Sequence, residues 1–421
     1  MVLGPRTKDR GPRTIGRTKD YANVVYEMTS KLHDPIRVLE LRSVRGTGGG
    51  PEKTILHGAA RRNADRFDVT LCYLRHEHDD AFGVDARART LGLDYVEIRE
   101  RHAFDRRVWP ALVSTVRARR IDIVHAHDYK TDFLALALAR ATGAAPLSTV
   151  HGWINDSWKE RRIYCPADKQ LLRLFPRVVA VSRVIAETLV KSGVKADRIT
   201  TLLNGIDPVH FRRMRGEVAA ARRALGIEPW EIAVGAVGRL EQVKRFDVLL
   251  AAVAQLQKRW PMLKVFIAGD GLLREPLIAT ATELAIEGCR FLGHRTDIVR
   301  LHHAFDLFVQ SSDSEGTPNS VLEAMALETP VVATDAGGTS DIMTHDVHGL
   351  LTPCGDSAAL ARAIERTLID RRATVDRVAA ARGRIERELS FDRRTRALEA
   401  IYEELATVQR SHADVLTRAA S

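Results

Sequence analysis

A chain of 421 residues is too long for one ordinary hydrophobic core, so two or three domains are expected. With 45% hydrophobic and 28% charged residues, the composition is that of a soluble globular protein. No apolar run reaches the roughly 18 residues of a membrane-spanning helix. The net charge of +10 favours anionic partners such as sugar nucleotides or an acidic membrane face. Only 6% of residues are aromatic and none interleave with basic runs, so nucleic-acid binding is not expected.

The chain begins with a basic segment, residues 1–34, that lacks the apolar core of a secretory signal and is expected to be a flexible tail. The four cysteines lie far apart and form no CxxC pair, which argues against a disulfide or metal framework and favours a reducing cytosol.

Short apolar runs alternate with longer amphipathic segments along most of the remaining chain. The predicted strands of the first half are 36–41, 67–74, 95–98, 122–127, 146–151, 177–182 and 199–203. Those of the second half are 232–238, 263–270, 291–293, 306–312 and 330–335. Continuous β-branched runs separated by helices predict parallel strands that are buried on both faces. This α/β pattern predicts two doubly wound Rossmann-like domains, residues 35–208 and 209–390, followed by a helical segment, 391–421.

Ligands of open α/β sheets bind beyond the carboxyl ends of the strands, and glycine, histidine and charge follow many of the predicted strands. The first such segment, "RGTGGGPEKT" (45–54), has Pro51 in the place of the last glycine of a dinucleotide fingerprint, and it lacks the GKS or GKT of a P-loop. Its backbone amides could approach a phosphate or sugar closely, and a tight strand-to-helix turn is the alternative.

Two cations and two carboxylates follow strands of the second half. Arg239 and Lys244 are five residues apart in one loop and can converge on a diphosphate. Glu315 and Glu323 bracket a predicted helix start, with Thr317 as its cap and Pro318 in its first turn. This arrangement suits a ligand that carries both hydroxyls and phosphate, and it suits hydroxyl acceptance better than the paired carboxylates of a glycosidase.

The histidines of "HAHD" and "HGW" raise the question of a metal site. The spacing of His125, His127, Asp128 and His151 lacks the further histidines of a binuclear hydrolase, and no HExxH is present, so no metal is expected. His125 is predicted to point into the core. His127 is predicted to face the cleft from the strand tip, and a capping or core histidine is the alternative.

Several segments, taken in order, resemble one enzyme family. "EGTPNSVLEAMALETPVVATDAGG" resembles the EX7E signature of the retaining GT-B glycosyltransferases of family 4, and "VGRLEQVK" is similar to the diphosphate clamp of that family. "VVAVS", "LLNGID", "FIAGDG" and "FLGHRTDI" match further landmarks, so the resemblance spans roughly residues 36 to 405. It implies a GT-B fold, in which two Rossmann-like domains face each other across a donor-binding cleft.

The resemblance also implies roles for individual residues. Arg239 and Lys244 would hold the donor diphosphate, Glu315 the transferred sugar and Glu323 the ribose, while His127 would contact the sugar near the reacting carbon. The remaining donor-binding residues that the resemblance implies are Gly48, Gly49, Gly238, Arg295, Asn319, Ser320 and Val321.

The implied chemistry is glycosyl transfer with retained configuration and without a cofactor or metal, through electrostatic stabilisation of the departing diphosphate. A donor phosphate oxygen would accept the proton in a front-face mechanism. The chain departs from the family at Asp341, where glutamate is common, and at "GGGPEK", where many members have "GGAE". Both departures could alter sugar or acceptor preference. The resemblance also implies that the segment 391–421 returns to the N-terminal domain.

The expected function is transfer from a nucleotide sugar to a glycan or lipid-linked acceptor in cell-surface or exopolysaccharide biosynthesis. The expected location is the cytoplasm, with peripheral contact at the anionic inner face of the plasma membrane. Two alternatives remain: a sugar-nucleotide epimerase of GT-B shape, and a catalytically silent sugar-nucleotide-binding subunit.

Overall fold

The structure is a computed structural model that describes residues 34–102, 105–153 and 158–420, apart from the side chains of Arg161 and of residues 411–420. The predicted basic tail, residues 1–34, lies outside the described residues except for Asp34.

The first half of the chain forms one parallel sheet with seven strands in the order β3-β2-β1-β4-β5-β6-β7. Its strands are β1 (Ile36–Ser43), β2 (Phe67–His76), β3 (Asp94–Glu100), β4 (Ile123–Ala126), β5 (Ala145–Val150), β6 (Arg177–Ala180) and β7 (Ile199–Thr201). Each coincides with a predicted apolar run. The inner strands β1, β2, β4, β5 and β6 are mostly buried on both faces, as helices packed on either side of a parallel sheet require.

The second half forms a parallel sheet with six strands in the order β10-β9-β8-β11-β12-β13. Its strands are β8 (Ile232–Val237), β9 (Leu263–Ala268), β10 (Cys289–Gly293), β11 (Leu307–Gln310), β12 (Val331–Thr334) and β13 (Leu350–Thr352). The sequence predicted about five strands here, and the missed one is β13, a three-residue edge strand too short to show a periodic pattern. The predicted fold class, two doubly wound α/β domains, is confirmed.

Helices connect and cover the strands of both sheets. In the first domain they are α1 (Gly50–Ala60), α2 (Val84–Thr90), α3 (Val108–Ala118), α4 (Tyr129–Thr142), α5 (Cys165–Leu171) and α6 (Arg183–Lys191). In the second they are α7 (Val218–Ala224), α8 (Phe246–Gln257), α9 (Arg274–Glu283), α10 (Ile298–Ala304), α11 (Asn319–Ala326), α12 (Thr339–Ile342), α13 (Ser357–Ile369) and α14 (Arg371–Glu388).

A long final helix, α15 (Phe391–Ala420), packs on the first domain. Its apolar face, which includes Leu398, Ile401 and Leu405, joins a buried cluster with residues of β1 and β2. The chain returns through a close contact in which Ile206 pairs with Ser390. The last helix therefore belongs to the packed structure of the first domain.

The strand order of each sheet reverses direction at one point. In the first sheet this point lies between β1 and β4, and in the second between β8 and β11. Loops that leave neighbouring strands in opposite directions open a crevice at such a point, which is where open α/β sheets bind ligands. The loops after these four strands carry most of the residues that the sequence singled out.

Candidate functional site

The two switch points face each other at the boundary between the domains, where Asn319, after β11, contacts Gly50, after β1. A Cβ atom on Gly316, in the loop after β11, would lie 2.7 Å from the carbonyl oxygen of His151, at the end of β5. The absence of a side chain at position 316 therefore permits this close approach of the two domains.

Glu315 is the centre of a charged group in the second domain. Its Oε1 atom accepts hydrogen bonds from Lys244 Nζ at 2.6 Å, from Ser312 Oγ at 2.7 Å and from Gln310 Nε2 at 3.2 Å. Lys244 ends a single 3₁₀ turn after β8, and its side chain is about one-fifth exposed at 21%. A mostly buried carboxylate and ammonium thus lie together where the loops after β8 and β11 meet.

Arg239 and Lys244 pair with different carboxylates in this structure. The Nη1 atom of Arg239 donates to Glu241 Oε1 at 2.6 Å, and its side chain is 56% exposed. A Cβ atom on Gly238, just before it, would lie 3.7 Å from the Lys244 side chain, which is an ordinary van der Waals contact. An exposed ion pair is weak, so a bound anion can draw the guanidinium away from Glu241.

Helix α11 begins at Asn319, one residue later than a Thr317 cap would give, with Pro318 in the cap position. The prediction for Thr317 was wrong because its hydroxyl donates to the carbonyl of Val181 in the other domain. The amide of Val321 donates to Pro318 O at 3.1 Å. Of the three amides predicted to bind the donor, those of Asn319 and Ser320 therefore lack a hydrogen-bond partner among the described residues. Two of the three predicted amides are therefore available to an anion.

Glu323 lies on the second turn of α11 and is 3% exposed. Its Oε1 atom accepts from Lys53 Nζ, on α1 of the first domain, at 2.7 Å. Asn319 Nδ2 donates to the carbonyl of Gly50 at 3.1 Å, so α1 and α11 are joined by two contacts. Sequence reasoning did not single out Lys53, because only the fold brings it to Glu323.

The glycine-rich segment turns from β1 into α1, as one of the two interpretations predicted. Gly48 has φ of +69°, where a side chain would be strained and would also collide with Glu52. Glu52 is buried and accepts from the Gly49 amide and from Arg42 Nε. Burial opposes ionisation, but Arg42 and the Gly49 amide outweigh it and lower the pKa of Glu52. Arg42 and Glu52 therefore fix the loop, although nothing in the sequence marked them.

His127 lies at the tip of β4, as predicted, but its side chain is buried rather than open to the cleft. Its Nε2 atom hydrogen-bonds Glu40, and its Nδ1 atom lies 3.2 Å from His151 Nε2. Burial lowers the pKa of His127 to about 4. The alternative of a core hydrogen-bonding histidine describes this environment better. His125 is fully buried, as predicted.

The described part of the chain contains one group of side chains that could ligate a metal ion. The ligand atoms of Glu40, His125 and His127 lie within 4.8 Å of one another. Both histidines already share one carboxylate oxygen, with His125 Nδ1 at 3.1 Å from Glu40 Oε2. The three side chains thus satisfy one another's hydrogen-bonding groups.

Two further residues that the sequence singled out, Arg295 and Asp341, form ion pairs. Arg295, in the loop after β10, pairs with Asp297 through contacts of 2.7 and 2.6 Å. Asp341 accepts from the backbone amide of Arg183 at 2.7 Å and also from its guanidinium. The family departure at position 341 therefore lies in an interdomain contact.

Two facing Rossmann-like domains with charged loops at both switch points are the features of the GT-B fold. Residues 218–384 match the family model "Glycosyl transferases group 1", and residues 48–210 match "Glycosyltransferase Family 4". The chain belongs to this glycosyltransferase family.

Two relatives each align with about two thirds of the chain or more. It is 33% identical to a D-inositol 3-phosphate glycosyltransferase of Saccharomonospora viridis, over 67% of this chain and 70% of that protein. It is 29% identical to the glycogen synthase of Mycobacterium tuberculosis, over 77% of each chain. The fold is similar to that of Anabaena Alr3699/HepE in complex with UDP and glucose, with a TM-score of 0.77, 22% identity, and coverage of 88% of this chain and 100% of that one. The chain is thus a glycosyltransferase with the GT-B fold.

Proposed function

We propose that this glycosyltransferase moves a sugar from a nucleoside-diphosphate sugar to a hydroxyl group of a glycan or lipid-linked acceptor, with retained configuration. The observation that carries the proposal is the group formed by Lys244, Glu315 and the start of α11. It combines, within one switch point, a cation, a hydroxyl acceptor and two amides that have no partner in the described part of the chain. Diphosphate and sugar hydroxyls are the groups that such a set can bind together.

In the proposed complex, Lys244 and Arg239 bind the diphosphate, and the amides of Asn319 and Ser320 add donors to the same charge. Glu315 accepts hydroxyls of the transferred sugar, and Glu323 accepts those of the ribose. The solved complexes of Alr3699/HepE with UDP and with UDP-glucose support UDP-glucose as the first donor to test.

During transfer, the bond between the anomeric carbon and the phosphate oxygen breaks, and a bond to the acceptor oxygen forms on the same face of the sugar. The acceptor hydroxyl gives its proton to the departing phosphate oxygen, and the nucleoside diphosphate leaves. Lys244 and Arg239 stabilise the negative charge that develops on the diphosphate. Because two side-chain cations supply this stabilisation, we propose that the reaction needs no metal or other cofactor.

The acceptor and the location extend the proposal further. No helix in the described ranges is both long and apolar enough to cross a membrane. The net charge of +10 supports peripheral contact with an anionic membrane, where a lipid-linked acceptor of surface or exopolysaccharide synthesis would lie. Cosedimentation with phosphatidylglycerol vesicles at low and high salt tests this contact, and vesicles of neutral lipid are the control.

The enzyme reaction is tested with the isolated protein, UDP-glucose and a panel of soluble glycan acceptors. The anomeric configuration of the product, measured by its proton coupling constant, reports retention or inversion. An α-linked product from an α-linked donor supports the proposal, whereas a β-linked product contradicts the retaining mechanism. Release of an epimerised sugar nucleotide instead would favour the epimerase alternative.

A further inference from the structure

Glu40, in the middle of β1, is a buried carboxylate with three hydrogen-bond partners. It is 5% exposed. Its Oε2 atom hydrogen-bonds His127 Nε2 and lies 3.1 Å from His125 Nδ1. Its Oε1 atom accepts from the hydroxyl of Tyr402, on the final helix α15, at 2.7 Å. The carboxylate thus joins the last helix of the chain to the histidines at the tip of β4.

Besides its contact with Glu40, His125 makes two further hydrogen bonds, and together these contacts fit one arrangement of protons. Its Nδ1 atom lies 2.8 Å from the Tyr402 oxygen, and its Nε2 atom lies 2.7 Å from Thr149 Oγ1. If Nδ1 carries the proton, it donates to Glu40 and to the Tyr402 oxygen, and Nε2 accepts from the Thr149 hydroxyl. Every polar hydrogen in the group then has an acceptor, with Glu40 ionised and His125 neutral.

The same carboxylate fixes the tautomer of His127. An ionised Glu40 can only accept, so the Nε2 atom of His127 must carry the proton. A neutral His127 then has a bare Nδ1 atom, and the neutral state is favoured because burial lowers its pKa to about 4. His127 Nδ1 can therefore only accept, and its neighbour at 3.2 Å, His151 Nε2, must donate.

The chain of hydrogen bonds from Glu40 through His127 ends at His151. With Nε2 protonated, the Nδ1 atom of His151 is left as an acceptor, and it has no hydrogen-bond partner within the described ranges. His151 is partly exposed, unlike His127. Its backbone carbonyl lies against Gly316, the residue after Glu315, so residue 151 lies where the first domain meets the second.

We propose that Glu40, held by Tyr402 of the final helix, is a positioning residue that fixes the tautomers of His127 and His151, so that His151 Nδ1 accepts a hydrogen bond from a sugar hydroxyl in the cleft. His127 then has an internal role, because its two ring nitrogens are engaged by Glu40 and His151. The identity of the contacted ligand rests on the proposed function, whereas the tautomers do not.

The tautomers can be measured without any substrate. Two-bond correlation spectra of protein labelled with ¹⁵N-histidine distinguish a protonated from a bare ring nitrogen. His127→Asn and His151→Asn identify the two signals by their loss. We expect both residues to be neutral and protonated at Nε2. A signal from Nδ1-protonated or doubly protonated His127 would overturn the proposal and would leave the proposed glycosyl transfer untouched.

Kinetics separate positioning from a general structural effect. Tyr402→Phe and Glu40→Gln are expected to lower kcat/KM roughly tenfold or more while the Kd of the nucleoside diphosphate is unchanged. Tyr73→Phe is the matched control, because Tyr73 is fully buried in the same domain and its hydroxyl has no partner among the described residues. Equal losses in the control, or an unchanged kcat/KM in both test variants, would contradict the positioning role.

The kinetics of His151→Phe show which substrate supplies the hydroxyl that donates to His151. If the transferred sugar supplies it, donor hydrolysis without acceptor and full transfer slow down together. If the acceptor supplies it, only transfer slows down. Unchanged rates of both reactions would overturn the proposed contact. A wild-type protein with the expected tautomers but no transfer would contradict the proposed function alone.

Discussion

Lys53 of the first domain and Glu323 of the second form an ion pair across the cleft, with Nζ and Oε1 2.7 Å apart. Glu323 is 3% exposed, whereas the Lys53 side chain is 45% exposed. The carboxylate proposed to bind the ribose is thus already neutralised by the opposite domain. Nucleotide binding must therefore replace or share this partner.

Lys53→Met tests this competition. The variant leaves the buried Glu323 carboxylate without its partner, which should lower the free energy of unfolding of the free protein by about 1–3 kcal/mol. Ribose hydroxyls then supply the missing donors, so the rise in melting temperature caused by UDP should be larger than in the wild type. Differential scanning fluorimetry with and without UDP measures both effects.

The control for this variant is Arg66→Met, which breaks the exposed pair of Arg66 with Glu403 on the final helix. It should leave the UDP-induced rise unchanged. A smaller rise in Lys53→Met than in the wild type would show that Lys53 assists nucleotide binding instead of competing with it.

Glu315→Gln should reduce transfer by about two orders of magnitude or more, the usual effect of removing one preorganised catalytic interaction. The amide keeps the shape of the side chain, so the folded structure and its circular dichroism spectrum should be preserved. Glu365→Gln is the control, because Glu365, like Glu315, is paired with a cation of the same domain, in this case Arg259 at 2.8 Å. Near-normal turnover of Glu315→Gln would remove Glu315 from the reaction.

Arg239→Met and Lys244→Met should each weaken binding of the nucleoside diphosphate by about 1.5–3 kcal/mol, the value of a charge-assisted hydrogen bond. Their effects on the free protein should differ. The pair of Arg239 with Glu241 is exposed, so its loss should leave stability almost unchanged, whereas loss of Lys244 leaves Glu315 poorly compensated. Calorimetric titration with UDP and urea unfolding measure the two quantities. Equal stability of both variants would contradict the structural difference between the two cations.

His302 predicts a pH dependence of stability. It is fully buried, and burial, with a further contribution from Arg213, lowers its pKa from the usual value to about 3. Between about pH 3 and pH 6.5 the unfolded chain therefore binds one more proton than the folded protein, so wild-type stability is lost as the pH falls through this range. Relative to His302→Gln, the wild type should lose about 1.4 kcal/mol per pH unit in this range. Urea unfolding at several pH values measures the difference, and a constant difference would contradict a neutral buried His302.

The fold could be predicted well from the sequence because the patterns that indicate strands and helices are local. Continuous apolar runs identify buried parallel strands, and β13 was missed because three residues carry no period. The chemistry-bearing side chains were found in part for a similar reason, since Glu315 and Lys244 follow strands that meet at one switch point.

The remaining features depend on contacts between distant residues. Glu40 and Tyr402 are 362 positions apart, and no local pattern indicates that they share a hydrogen bond. The same holds for Thr317, whose hydroxyl contacts Val181 of the other domain instead of capping the helix. His127 differs from its prediction because the burial of a strand tip is decided by the neighbouring strands and by α15.

The most direct test of the proposed function is release of nucleoside diphosphate from a panel of UDP-, GDP- and ADP-sugars, measured with EDTA present. We expect saturable release from one class of donor, faster with acceptor, and its loss in Glu315→Gln. Absence of release from every donor by the folded protein, together with no binding of free nucleoside diphosphates, would contradict the account.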